Sequence, residues 1–408
     1  MDRLSGPLAI LTVPIVFFGF YIGPGRTDQY WLLLLATMAF VIHRFSRVSK
    51  LSLIQLLVAG LFIGIGLINT IMPLDRLFSK NLLLVLAQVE NYFGLMVVYF
   101  LWASIFERFA AEHHAKICRV FVYCVCVNTV LIMLSMVIGP QIFDIFNNTF
   151  VVSSNDEGCE MHRCYLDNRI RLSQLSSLVG RYSGVFTQVS DSGVVTGLAT
   201  ILLCNQKIWK DRIVQIFVFG LVLVGGLLSG SKIFIIMLIL TLLFFSLRST
   251  KVAMAALGLV SLVLVVYYFN IAIPWQFSRL INNLSVNNLF QVFTSFRFIE
   301  DGFIIREFEN IYNGSSLIGR GFGSLASSDF ALLEVFSICG FLGLLLYFLY
   351  TLVFFFDVVR FTRFDFYSIA LPTIVAGSSI AAPILTGNKI GFFLIICSLC
   401  FSRNFVKP

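Results

Sequence analysis

The sequence predicts an all-α, polytopic integral membrane protein of about twelve transmembrane helices with two long loops on one side of the bilayer. Three observations predict it. Of 408 residues, 58% are hydrophobic and only 12% charged, with a mean hydropathy of +0.92, whereas soluble domains carry about 25% charged residues. Apolar runs of the roughly 17–25 residues that cross a bilayer recur along the chain. The alternating segments of about ten residues that mark a membrane β-barrel are absent.

The spans follow in order. The run 6–22 comes after Arg3, and no small-residue cleavage site closes it, because its exit "YIGPGRTD" reads as a turn. It is expected to be the first span and not a cleaved signal peptide. Spans at 30–43, 51–71, 82–106 and 117–139 complete an N-terminal block, 1–139; the second is short, tilted or partly re-entrant. A first long polar loop, 140–183, leads to spans 184–204, 213–229, 232–247 and 252–273, and the 229–232 connection is tight enough for a helical hairpin. A second long loop, 274–327, precedes spans 328–356, 366–383 and 387–402 within the C-terminal block 328–408.

Short-loop charge orients the bundle. Arg3, Arg44, Arg47, Lys50, Arg108, Lys116, Arg119, Lys207, Lys210, Arg212, Arg248, Lys251, Arg360, Arg363, Arg403 and Lys407 fall on the side of the termini. The short loops opposite hold only Arg26, Arg76, Lys80, Lys232 and Lys389. By the positive-inside rule both termini are cytoplasmic and the two long loops periplasmic or extracellular. The net charge of +8 is then mainly a topology signal. No DNA- or RNA-binding motif accompanies it, so no nucleic-acid partner is expected.

Cys159 and Cys164 stand in "GCEMHRC" on the first long loop, where a local disulfide and two unpaired thiols are both open readings. His162 between them lacks a fourth partner for a metal, and no convincing metal-ligand set is present elsewhere.

Polarity outside the spans concentrates in the two long loops and their re-entry points. In "VGRYSGVFTQVSDSGVVTG", Arg181 stands where the chain re-enters the bilayer; it either snorkels to the headgroups or lines a cavity that the neighbouring glycines help to form. In "LLSGSKIFII", Ser229, Gly230 and Ser231 precede Lys232 at a helix start, which suits either an anion site or a plain tight turn. The second long loop contains "FTSFRFIEDGFIIREFENIYN", whose apolar spacing predicts an amphipathic helix across the mouth of the bundle, with Arg297 and Arg306 as candidate phosphate contacts. Glu90 in "AQVENYFG" is a possible intramembrane polar site, since a carboxylate at membrane depth costs several kcal/mol unless partnered. "GRGFGS", around Arg320, lies outside any βαβ unit and does not read as a nucleotide loop. Asp329 and Glu334 follow it at the entry of an apolar helix; five residues apart, they point about 140° from one another on a regular helix.

Taken in order, "GRYSGVFTQVSDSG", "LLSGSK", a large outer loop and "IGRGFGS…DFALLEVFSICGFLGLLLY" resemble the O-antigen ligase and polymerase superfamily. The resemblance covers roughly 180–343 and the overall helix count. Members show an Arg-x-x-Gly entry, a (T/S)-G-S-(R/K) hairpin, a glycine-rich turn, and a polar residue before a helix ending in G-x-x-G. Ligases of the superfamily carry a histidine shortly after the glycine-rich turn. The matching place here is Asp329, and the chain's histidines, His43, His113, His114 and His162, lie elsewhere. That departure favours the Wzy-type polymerase branch over the ligase, which joins glycan to lipid A core.

The resemblance implies a GT-C-like helical bundle in the bacterial inner membrane, acting on undecaprenyl-diphosphate-linked oligosaccharides at its outer face. It implies a metal-independent glycosyltransferase without cofactor, and a separate chain-length regulator as a protein partner. Arg181, Lys232 and Arg320 would then contact the diphosphate, and Asp329 or Glu334 would serve as general base. The rival outside the enzymes is a flippase for the same lipid-linked glycan, against which the absence of matching halves counts.

Overall fold

The computed structural model describes residues 2–22, 25–27, 50–72, 113–143, 181–186, 189–205, 208–246, 303–324, 331–361 and 388–401, with single positions between 30 and 35, between 85 and 93, and at 146. These residues are helical apart from turns and one minimal antiparallel pairing of Tyr21–Ile22 with Gly25–Arg26. That pairing falls in the stretch expected to be a turn.

Among the described residues, four helices are long and apolar enough to cross a bilayer: Leu53–Ile71, Ala115–Ile138, Arg212–Ser229 and Leu332–Phe354. Shorter apolar helices occupy Pro7–Phe17 (within α1, Asp2–Phe17), Val189–Cys204 and Lys232–Leu243. The protein is therefore a helical membrane protein. The expected spans 252–273 and 366–383, most of 30–43 and 82–106, most of the first long loop with Cys159 and Cys164, and the second loop up to 302 lie outside the described residues.

The chain divides into two compact units. The first comprises Met1–Ala9, Leu32–His114 and Asn283–Asn404. Its frame is α2 (Lys50–Ile71) packed along α8 (Ala331–Phe361). Val58, Ala59, Phe62 and Ile63 recur at helical spacing on α2 and bury against Val335, Ile338, Cys339, Leu346 and Tyr350 of α8, with Val85, Tyr92 and Phe322 closing the cluster. A Cβ on Gly66 would stand 2.5 Å from Phe322 Cε2 and 2.9 Å from Ile338 Cγ2, so this glycine leaves room for both side chains. The amphipathic helix expected in the second loop is α7 (Phe303–Ser315). It lays Ile304 and Ile311 on Leu333 and Phe336 of α8, and its Phe308 ring stacks on Phe336 at 4.9 Å.

The second unit comprises Ile10–Trp31, Ala115–Asn282 and Phe405–Pro408. It holds α3 (His114–Ile138), α4 (Val189–Asn205), α5 (Arg212–Ser229) and α6 (Lys232–Ser246). Helix α4 packs against both members of the α5–α6 hairpin. The Asp211 side chain accepts from Ile213 N at 2.8 Å and caps the start of α5. Gly230 ends α5 in the left-handed conformation (φ 60°, ψ 22°), which brings α6 back after a single further residue.

Candidate functional site

Each unit carries one of the two polar clusters singled out in the sequence. In the first unit, the cluster grows from a break in α8. Gly340 has φ 61° and ψ −151°, a backbone that interrupts the helical ladder. The break leaves the carbonyls of Ser337 and Ile338 and the amides of Phe341 and Leu342 without their helical partners. The segment after α7 supplies replacements. Arg320 N donates to Ser337 O at 2.7 Å and Gly321 N to Ile338 O at 3.0 Å; Phe341 N donates to Ser316 O at 2.9 Å and Leu342 N to Leu317 O at 3.2 Å. The glycine-rich turn is thus a short strip of backbone seated in a broken helix.

Glycine is required here by space as well as by dihedral. Gly319, Gly321 and Gly323 all take positive φ (77°, 81° and 74°). A Cβ on Gly319 would fall 2.6 Å from the amide nitrogens of Cys339 and Gly340. The far end of the turn is held by side chains. Phe322 N donates to Thr70 Oγ1 at 2.7 Å, and Gly323 N donates to Gln88 Oε1 at 2.7 Å. Asn69 Nδ2 donates to Ile318 O. Phe322 itself is fully buried, against the Phe62 and Tyr92 rings. The amides of residues 319 to 323 are each spent on a protein acceptor.

Arg320 projects from the strip half-buried, and its Nη2 donates to the carbonyl of Asn310 in α7. A Cβ on Gly314 would stand 3.2 Å from that same nitrogen. The guanidinium is therefore oriented from one side by the last turns of α7. Glu334 lies buried on the first half of α8, 8% exposed, within electrostatic range of the Tyr92 and Tyr347 phenols. Arg306 is exposed on α7, two residues from buried Ile304. Asp329, Arg297 and Glu90 lie outside the described residues.

In the second unit, the entry segment Arg181–Phe186 is held against the α5–α6 hairpin. Tyr182 N donates to Leu228 O at 3.3 Å, and Val185 N donates to Asn128 Oδ1 of α3 at 2.9 Å. Gly184 takes φ 64° at the bend, and its open side is filled by the Asn128 amide. Arg181 is half-buried at the start of this segment, and Lys232 is half-buried as the first residue of α6. The structure thus brings the "GRYSG" entry and the "LLSGSK" hairpin together, as their joint appearance in the sequence suggests. Ser229 and Ser231, for which the sequence leaves an anion site and a plain tight turn both open, are buried. Ser229 Oγ donates to Gly226 O at 2.6 Å and accepts from Ser231 N at 3.3 Å. The serines close the turn.

Sequence reasoning missed Asn69, Thr70 and Asn128. Each is a polar residue near or inside an otherwise apolar span, and each bonds backbone 57 residues or more away. Among the described residues, no group of three or more His, Cys, Asp or Glu is gathered to hold a metal ion. Compared with known proteins, the chain matches no family model and no curated protein.

Proposed function

We propose that the chain is a Wzy-type O-antigen (or related surface polysaccharide) polymerase. It transfers a growing glycan from undecaprenyl diphosphate to the non-reducing end of a lipid-linked repeat unit at the periplasmic face of the inner membrane. The observation that carries the reading is the order and spacing of the three motifs over 180–343, with aspartate at 329 where a ligase has histidine. Two features support it. Each motif forms a packed backbone structure presenting one half-buried cation, Arg181 and Lys232 in one unit and Arg320 in the other. A carboxylate, Glu334, is buried in a membrane-crossing helix, a placement kept where function needs it.

The chemistry uses only the substrates and these side chains. An acceptor hydroxyl attacks the anomeric carbon of the donor, a new glycosidic C–O bond forms, and the bond from that carbon to the diphosphate oxygen breaks. The electron pair leaves on the diphosphate, whose charge the resemblance assigns to the motif cations Arg181, Lys232 and Arg320. Asp329 or Glu334 takes the hydroxyl proton. The donor is already activated, so the reaction needs no nucleotide.

Deleting the gene and separating the cell's lipopolysaccharide on a gel tests the reading. A core bearing a single repeat is the expected pattern. Bare core with lipid-linked chains of many lengths would identify a ligase, bare core with single units held inside a flippase, and an unchanged ladder would refute the proposal. Arg181→Ala and Arg320→Ala, inserted at wild-type levels, are expected not to restore the ladder.

A further inference from the structure

We infer that Thr70 and Gln88 are positioning residues for Arg320, with Asn69 completing the grip; the inference rests on the assignment of Arg320 to the leaving diphosphate. Neither belongs to a motif that suggested that function.

Arg320 sits among three glycines of positive φ, and a glycine backbone has no preferred turn of its own. Its register is set by what it touches. On the near side, Asn69 Nδ2 holds Ile318 O, and the broken helix takes the Arg320 and Gly321 amides. On the far side, the Thr70 and Gln88 oxygens take the next two amides, Phe322 and Gly323. Thr70 is itself oriented: its hydroxyl donates to Gly66 O at 2.6 Å, which turns its lone pairs toward the turn. Arg320 is therefore suspended between two anchored ends. The Phe322 amide is buried and has no water to replace Thr70. Removing the oxygen forces the backbone to move in search of an acceptor, and a displacement of about 1 Å in a group that must meet a developing charge costs about 100-fold in rate.

The test uses the full-length protein in lipid nanodiscs and, as substrate, the undecaprenyl-diphosphate-linked repeat unit extracted from the deletion strain. Thr70→Val and Gln88→Leu are expected to raise hydrogen exchange in peptides covering 316–324 at least tenfold while the other helices keep their protection. They should lower kcat about 100-fold, and Thr70→Ser should restore both properties. Added to Arg320→Lys, Thr70→Val should lower kcat little further, because the register acts only through the guanidinium; full additivity refutes the positioning role. Unchanged exchange in both single variants overturns the inference whatever the activity. Raised exchange with normal turnover, in a background where Arg320→Ala is inactive, overturns the positioning role and leaves the assignment of Arg320 standing. An active Arg320→Ala sinks that assignment and the inference with it.

Discussion

Replacing Gly340 by alanine attacks the break in α8 at its source. The glycine's φ of 61° with ψ −151° belongs to a region that is essentially glycine-only, and a non-glycine residue held in a sparsely populated region costs about 1–3 kcal/mol. Space is short as well: the added Cβ would fall 2.5 Å from Ser316 O and 2.6 Å from the carbonyl carbon of Leu317. Those two residues accept the Phe341 and Leu342 amides, so relieving the clash means opening those bonds. Each is worth about 0.5–1.5 kcal/mol net, and more if its donor stays buried. Together the strain and the two bonds amount to about 2–6 kcal/mol, a large part of a typical folding stability of about 5–15 kcal/mol. Thermal unfolding of the purified protein is the assay, with Gly64→Ala as the matched control. Gly64 lies in α2 with nothing within 4 Å of its would-be Cβ, so alanine there should be neutral or stabilising by up to about 1 kcal/mol. A Gly340→Ala protein that melts with wild type, its 316–324 peptides equally protected, would show that the break is not fixed by glycine and would refute the reasoning.

The remaining predictions concern the second unit. Asn128→Leu deprives the buried Val185 amide of its acceptor and should destabilise the protein by about 1–3 kcal/mol, read by chemical denaturation; a value near zero would mean that the entry segment is held otherwise. Asp211→Ala removes the cap of α5 at a cost of about 0.5–2 kcal/mol, which Asp211→Asn should largely recover in the same assay. Gly193→Ala drives a methyl group into Ser231 and should cost about 1–3 kcal/mol through overpacking. Ser231→Gly in the same chain should return part of that loss, and a double-mutant cycle with no coupling would exclude direct contact of α4 with the hairpin turn.

Much of the helical frame was legible in the sequence. The expected spans 51–71, 213–229 and 232–247 lie within two residues of Lys50–Ile71, Arg212–Ser229 and Lys232–Ser246 at either end, because long apolar runs bounded by charge or glycine leave little choice of boundary. The amphipathic helix of the second loop could likewise be read from its spacing. The break in α8 could not. "FSICGFLG" continues an apolar run without a proline, and the reason it breaks lies in the carbonyls of Ser316 and Leu317, which belong to a different segment. The same holds for the glycine-rich turn. Its composition announces unusual dihedrals and close approach, but whether the close partner is a ligand or the protein depends on residues as distant as Thr70 and Gln88. For "LLSGSK", the tight connection was visible and the inward direction of both serines was not. That direction follows from Gly193 of α4 leaving room for Ser231.

The grip on the glycine-rich turn also sets when it can form. Asn69 and Thr70 bond partners 249 and 252 residues later in the chain, and the carbonyls they work alongside belong to a helix made later still. Loop-closure entropy grows by only about 0.6 kcal/mol per doubling of length, so such separation takes little from the stability of the finished protein. Its effect is on timing. While the chain is being synthesised and inserted, α2 must wait in the bilayer with its C-terminal polar pair unsatisfied by the turn until α8 has emerged, and Arg320 gains its register only then. A chain stopped before Ser337 would carry every residue of the turn without the α8 carbonyls that take its Arg320 and Gly321 amides.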